Sequence, residues 1–177
     1  KVTDASAALS EFIYDRLRGY LKDTGASTNE IESVIAHTPS QLATVPAQLA
    51  AVQAFSALPE AASLNAANKR VANILKKAAE SGEAIGEVSS AIAQEPAEQA
   101  LHAALASIAP QADALFAKGD FSGYLKSFAA LKAPVDEFFD KVMVMAEDKA
   151  VRNNRLALLR DLRDAMNKVA DLSRLAN

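Results

Sequence analysis

Apolar side chains recur every three to four residues along almost the whole chain, and nowhere do they alternate long enough to build a sheet. Stripes of that period must be buried against one another, so the layers have to be helix on helix. Alanine and leucine, both strong helix formers, dominate, and only 6 Gly and 6 Pro interrupt 177 residues. The expected class is all-α, a bundle of about seven to nine helices. The run Val142-Met143-Val144-Met145 is the only β-like segment and is too short to pair alone.

Punctuation places the helices. The first is expected from about Asp4 to Asp23, with Leu9, Phe12, Ile13, Leu17, Tyr20 and Leu21 on one apolar stripe and Gly25 as its stop. Ser27 and Glu30 form a capping-box pattern for a short second helix. Thr38-Pro39 and Val45-Pro46 both read as restarts, with Leu49, Val52 and Phe55 following the second. Pro59 opens a longer helix, with Leu64, Ala67, Val71, Ile74, Leu75 and Ala78 inward, and residues 80–90 are the best loop. Pro96 starts another, which Pro110 is expected to kink or divide. Asp120, Ala133-Pro134 and Asp148 open the last three; the final seam runs through Val151, Leu158, Leu162, Met166, Val169 and Leu172. The organisation expected is a helical stem over 1–58 and a bundle over 59–177. The chain opens on Lys1 without a signal-peptide pattern and reads as a piece of a larger protein. The charge-free stretch 33–59 is long enough for a bilayer, but Pro39, Pro46 and three glutamines argue against a membrane helix.

Charge is unevenly placed. Net charge is −3, yet residues 61–79 hold Lys69, Arg70, Lys76 and Lys77 without an acid, and residues 149–160 hold Lys149, Arg152, Arg155 and Arg160 without one. Two basic helices in an acidic protein are what a localised phosphate-binding surface needs. Ordinary solvated faces neutralised by neighbouring acids would give the same pattern. On the first of these helices Asn65, Lys69, Asn73 and Lys76 are expected to share the face opposite the apolar stripe. Arg155 falls on the Val151–Leu158 stripe, where a guanidinium must find a carboxylate, a carbonyl or a phosphate.

Catalytic chemistry is missing. Cys is absent, so no thiolate nucleophile or disulfide exists, and a reducing cytosolic home is permitted. His37 and His102 stand far apart with no partner at metal-ligand spacing. There is no phosphate loop, nucleophile elbow or zinc motif. The acid pairs Asp136-Glu137 and Glu147-Asp148 sit near helix starts, where they suit the dipole.

Several segments together resemble the C-terminal part of the β chain of bacterial two-subunit glycyl-tRNA synthetases: residues 11–21 from Glu11-Phe12-Ile13-Tyr14, 68–77 from Asn68-Lys69-Arg70, 95–101 from Glu95-Pro96-Ala97-Glu98, 133–145 from Ala133-Pro134-Val135, and 155–159. The same stretch is similar to the wider DALR anticodon-binding fold of arginyl-tRNA synthetases. Asp148-Lys149-Ala150-Val151-Arg152 stands at that signature, with Val151 in the Leu position. Departures are the lack of a motif beyond Leu175 and of any His-Asp dipeptide.

The resemblance implies a DALR-type bundle that reads the anticodon of tRNA-Gly in the cytoplasm. Its partners would be tRNA-Gly, the remainder of the β subunit and the α subunit, with no membrane. No cofactor is implied for this stretch; ATP and Mg belong to the whole enzyme. The anticodon loop would pack near the start of the first bundle helix and near the loop before the last. Phe139 and Met143 would then supply a stacking platform, Asn68, Asn153 and Asn154 hydrogen bonds to bases, and Lys69, Lys141, Arg152 and Arg155 contacts to phosphates, with Asn73 and Lys76 as further candidates for the RNA-binding surface. The competing reading is a helical docking module that joins subunits and touches no RNA, marked by a large exposed apolar patch.

Overall fold

A computed structural model describes residues 6–39 and 41–176. Among them are eight α-helices and no strand: α1 (Ser6–Asp23), α2 (Thr28–Ile35), α3 (Val45–Ser56), α4 (Ala61–Glu80), α5 (Pro96–Ala117), α6 (Phe121–Ser127), α7 (Lys132–Lys141) and α8 (Lys149–Met166). Short 3-10 turns occur at Leu42–Thr44, Phe128–Leu131 and Leu172–Leu175.

Local chemistry sets most of the boundaries. Gly25 leaves α1 with φ +93, a conformation only glycine adopts without strain. Ser27 and Glu30 make the reciprocal capping box of α2. Asp120 caps α6 and Asp148 caps α8, each accepting backbone N–H bonds of the first turn. The restart expected at Thr38-Pro39 does not form. Thr38 takes φ 43, its N–H closes on the Ile35 carbonyl at 2.8 Å, and regular structure resumes only at Leu42. The start expected at Asp4 lies outside the described residues. Pro110 lies inside α5 without dividing it, and α6, α7 and α8 pack on that helix. The final seam leaves α8 at Met166. Val169 and Leu172 reach the same core from the turn and 3-10 segment beyond.

One core runs through the molecule. α4 lies between α7, α8 and the Leu172–Leu175 turn, α3 packs on α6, and α2 packs on Leu172–Leu175, tied by the Asp171 N–H to the Ser33 carbonyl at 2.7 Å. Residues on both sides of position 58 therefore share it. Phe55, Tyr124, Phe128 and Phe138 are wholly buried in it, each contributing about 1.5–3 kcal/mol. The Tyr124 hydroxyl donates to the Ala165 carbonyl, joining α6 to the end of α8, and burial pushes its phenol well above the ordinary tyrosine range.

The stripe expected to bury α1 is split: Leu17 and Leu21 reach the core, and Leu9, Phe12, Ile13 and Tyr20 do not. Tyr14, Leu17 and Leu21 face α2 and the turn after it, with Tyr14 Oη donating to the Pro39 carbonyl and Arg18 paired to Glu32 at 2.7 Å. Leu9, Phe12 and Tyr20 are 58%, 57% and 63% exposed. A helix carrying two apolar stripes cannot bury both on one neighbour.

Candidate nucleic-acid interface

The two acid-free windows became α4 and α8, which lie side by side and antiparallel. Asn68 of α4 meets Met166 and Asn167 at the end of α8, and Glu83, just past α4, meets Arg152 near the start of α8. Their cations are used in opposite ways.

On α8 the guanidiniums of Arg152, Arg155 and Arg160 turn to the protein, while Arg163 stays outside on Asp164. Arg155 is buried against Glu98 of α5 at 2.5 Å, the pair 6% and 1% exposed, and its Nη1 also donates to the Met143 carbonyl at 2.8 Å. The expected alternatives resolve to an interhelical ion pair. Arg152 pairs with Glu83 at 2.9 Å and reaches back to the carbonyls of Ala146 and Glu147 at 2.7 and 3.2 Å. Arg160 holds Asp161 and the Gly86 carbonyl, with Glu87 at 3.7 Å. These contacts clamp the 81–95 connection and the 142–148 turn onto α8. Arg152 and Arg155 are committed to protein, not open to phosphate.

On α4 the cations stay outside. Leu64, Asn68, Val71, Leu75 and Ala78 make the buried stripe, and Lys69, Arg70, Asn73, Lys76 and Lys77 are exposed. Among the described residues Lys76 and Lys77 carry no ion pair. Lys69 donates to the Ala176 carbonyl at 3.2 Å. Arg70 lies over the ring of Phe139 on α7, its guanidinium carbon 4.3 Å from the centroid. Ser63, two turns earlier on the same side of α4, donates to Asp136 of α7 at 2.7 Å. The Ser63–Arg70–Lys77 stripe, with a period of seven, therefore runs along α7 towards the turn that follows it.

That turn alternates. Val142 and Val144 are buried, whereas Met143 and Met145 are 73% and 51% exposed. The β-like run is an extended link with one face on the core. Phe139 is half-buried, packed edge-on against Phe138 and covered by Arg70, so its ring does not face solvent alone. Lys141 is exposed but held by Glu137 at 2.6 Å.

Two expected base readers are not available. Asn68 is 3% exposed, with its amide on the Leu64 carbonyl and its oxygen taking the Asn167 amide at 2.8 Å. Asn65, expected on the outer face, is buried as well. Both sit one turn apart on the side of α4 that meets α8 and Leu172–Leu175. Asn153 is half-buried under the 81–95 connection with Oδ1 unbonded, and its neighbour Asn154 accepts from the Ser89 N–H. Asn73 is exposed as expected. The residue that sequence reasoning passed over is Arg70. Its signal was a seven-residue spacing to Ser63 and Lys77.

Among the described residues no group of three His, Asp or Glu could hold a metal ion. No single described helix is long and apolar enough to cross a membrane.

Residues 64–173 match the model of a family described as the DALR anticodon binding domain. The chain belongs to the DALR anticodon-binding domain family. It is 57% identical over 172 residues to the glycine–tRNA ligase β subunit of Methylobacillus flagellatus, covering 97% of this chain and 24% of that protein. It is 54% identical over 170 residues to the protein of the same name from Ralstonia nicotianae, covering 96% and 24%. For that of Delftia acidovorans the identity is 54% over 176 residues, covering 99% and 25%. The chain spans about a quarter of the length of the curated relatives it matches.

The Asp148–Arg152 stretch has a clear mechanical content here. Asp148 accepts the N–H groups of Ala150 and Val151 and starts α8. Val151 is a buried plug, and Arg152 ties the preceding turn by its carbonyls. In this DALR domain the motif shapes the turn that carries Met143 and Met145.

Proposed function

We propose that this chain is the anticodon-reading part of a glycine–tRNA ligase β subunit. It holds the anticodon loop of tRNA-Gly and so positions the tRNA for aminoacylation carried out elsewhere in a cytoplasmic enzyme that contains the rest of the β subunit and an α subunit. ATP and Mg serve that whole enzyme, and no cofactor is assigned to this stretch. The observation that carries the reading is the outer face of α4. Uncompensated Lys76 and Lys77 stand there, and Met143 and Met145 are exposed on the 142–148 turn that Arg152 ties near the end of α4; cations and soft apolar surface are what an unstacked RNA loop needs. The family match to an anticodon binding domain supports it.

The test is a titration of tRNA-Gly against the chain and its Lys76→Ala/Lys77→Ala variant at several salt concentrations. The variant is expected to bind more weakly at low salt, with the slope of log affinity against log salt reduced by about one to two. Equal affinity and equal slope would remove α4 from the interface.

The docking reading has its own support in the exposed Leu9, Phe12 and Tyr20 of α1. That stripe lies on another helix from the cations of α4, so a chain that docks through α1 can read RNA with α4.

A further inference from the structure

We infer that the guanidinium of Arg70, backed by Phe139, is a stacking platform for one unpaired nucleobase. The inference rests on the RNA-binding reading above and assigns a ligand class to one point of that surface.

The argument starts from what holds Arg70. Every other arginine of the two basic windows finds a carboxylate: Arg152 has Glu83, Arg155 has Glu98 and Arg160 has Asp161. Arg70 is exposed and rests on a ring instead. Of the carboxylates of α7, Asp136 is occupied by Lys132 and Ser63 and Glu137 by Lys141, and Asp140, next to the ring, is exposed and makes no ion pair with Arg70. A guanidinium over an aromatic face keeps its full charge, because the ring quadrupole attracts the cation without neutralising it.

The ring beneath is fixed. Phe139 packs edge-on against Phe138, with centroids 5.4 Å apart and planes at 82°, and Phe138 is wholly buried. The stack thus runs from the core through Phe138 and Phe139 to Arg70 and ends at solvent. A guanidinium held 4.3 Å over such a ring and exposed to solvent can take a base on its outer side, and nucleobases stack on arginine planes as they do on aromatic rings. The base lies on Arg70, not on Phe139, whose face Arg70 already covers. Lys77, two turns further along the same side of α4, is placed to meet the neighbouring phosphate.

The test compares the chain with Arg70→Lys, Arg70→Ala and Phe139→Leu, each checked for an unchanged helical spectrum. Two probes are used: an RNA hairpin with an unpaired loop carrying a fluorescent adenine analogue, and a fully paired duplex with the same number of phosphates. Arg70→Lys keeps the charge and removes the plane. It is expected to lose roughly tenfold in hairpin affinity, with the salt slope unchanged and little loss on the duplex. Phe139→Leu is expected to lose a similar amount, and both variants to abolish the fluorescence change of the stacked analogue. Hairpin binding by Arg70→Lys at wild-type strength, with Arg70→Ala weakened, would overturn the platform and leave a simple charge contact. A wild-type chain that shows no preference for the unpaired loop would overturn the RNA-binding reading itself, and the platform with it.

Discussion

The windows 61–79 and 149–160, which lie in α4 and α8, began as equivalents: four cations each, no acids, and a shared place in one bundle. In the folded chain they part. α8 sends the guanidiniums of Arg152 and Arg155 inward to carboxylates and carbonyls of the 81–95 connection, α5 and the 142–148 turn, whereas α4 keeps Lys76 and Lys77 in water and lays Arg70 on a ring. Residue type explains part of the difference. Guanidinium offers a planar fork that satisfies several acceptors at once and can be buried when paired, while lysine is a strongly hydrated point charge. Local basic charge therefore marks two unlike things, an internal brace where it is arginine on a seam and an open surface where it is lysine off the seam.

The sharpest way to break that contrast is at Arg155. Arg155→Ala leaves Glu98 buried without its cation and is expected to cost about 3–5 kcal/mol in urea unfolding. Arg155→Met with Glu98→Gln removes both charges and is expected to recover most of that loss. If Arg155→Ala unfolds at the wild-type midpoint, α8 is not the brace described. Arg152→Ala should cost less, about 1–3 kcal/mol, because its pair with Glu83 is only mostly buried. Its distinguishing sign is faster amide exchange across residues 143–148. Lys76→Ala/Lys77→Ala should leave stability within about 0.5 kcal/mol of wild type while changing RNA affinity. A large drop in stability there would mean that α4 is braced as α8 is. The smallest effect is expected at Asp136, whose carboxyl is held below its usual 3.8 by the hydrogen bond from Lys132 and then by that from Ser63. A lowered folded value gives stability that is present above the usual value and lost as pH falls below it. Asp136→Asn should therefore lower the melting midpoint by no more than about two degrees near neutrality, with the two curves converging in acid.

The helical class and most helix starts were legible because period and caps are local. Ser27–Glu30, Asp120 and Asp148 each act within one turn. Errors arose where a partner decides. The side of α1 that is buried depends on where α2 lies, and Pro110 sits inside an undivided α5 that three helices flank. The site was legible as charge but not as availability. Asn68 and Lys69 are neighbours in sequence, yet one is consumed by Asn167 and Leu64 and the other is exposed, a distinction set by α8 some hundred residues on. Phe139 was singled out for its ring, and only the fold reveals that a cation lies on top of it.

The turn at 142–148 hangs by its own backbone carbonyls from Arg152 and Arg155. Its outline is thus cast before any visitor arrives. A molecule landing on Met143 and Met145 meets a receptor with little freedom left to surrender, so the encounter is closer to key and lock than to a closing hand. Stopped-flow association should accordingly run as a single phase that responds to ionic strength, with no slower rearrangement behind it.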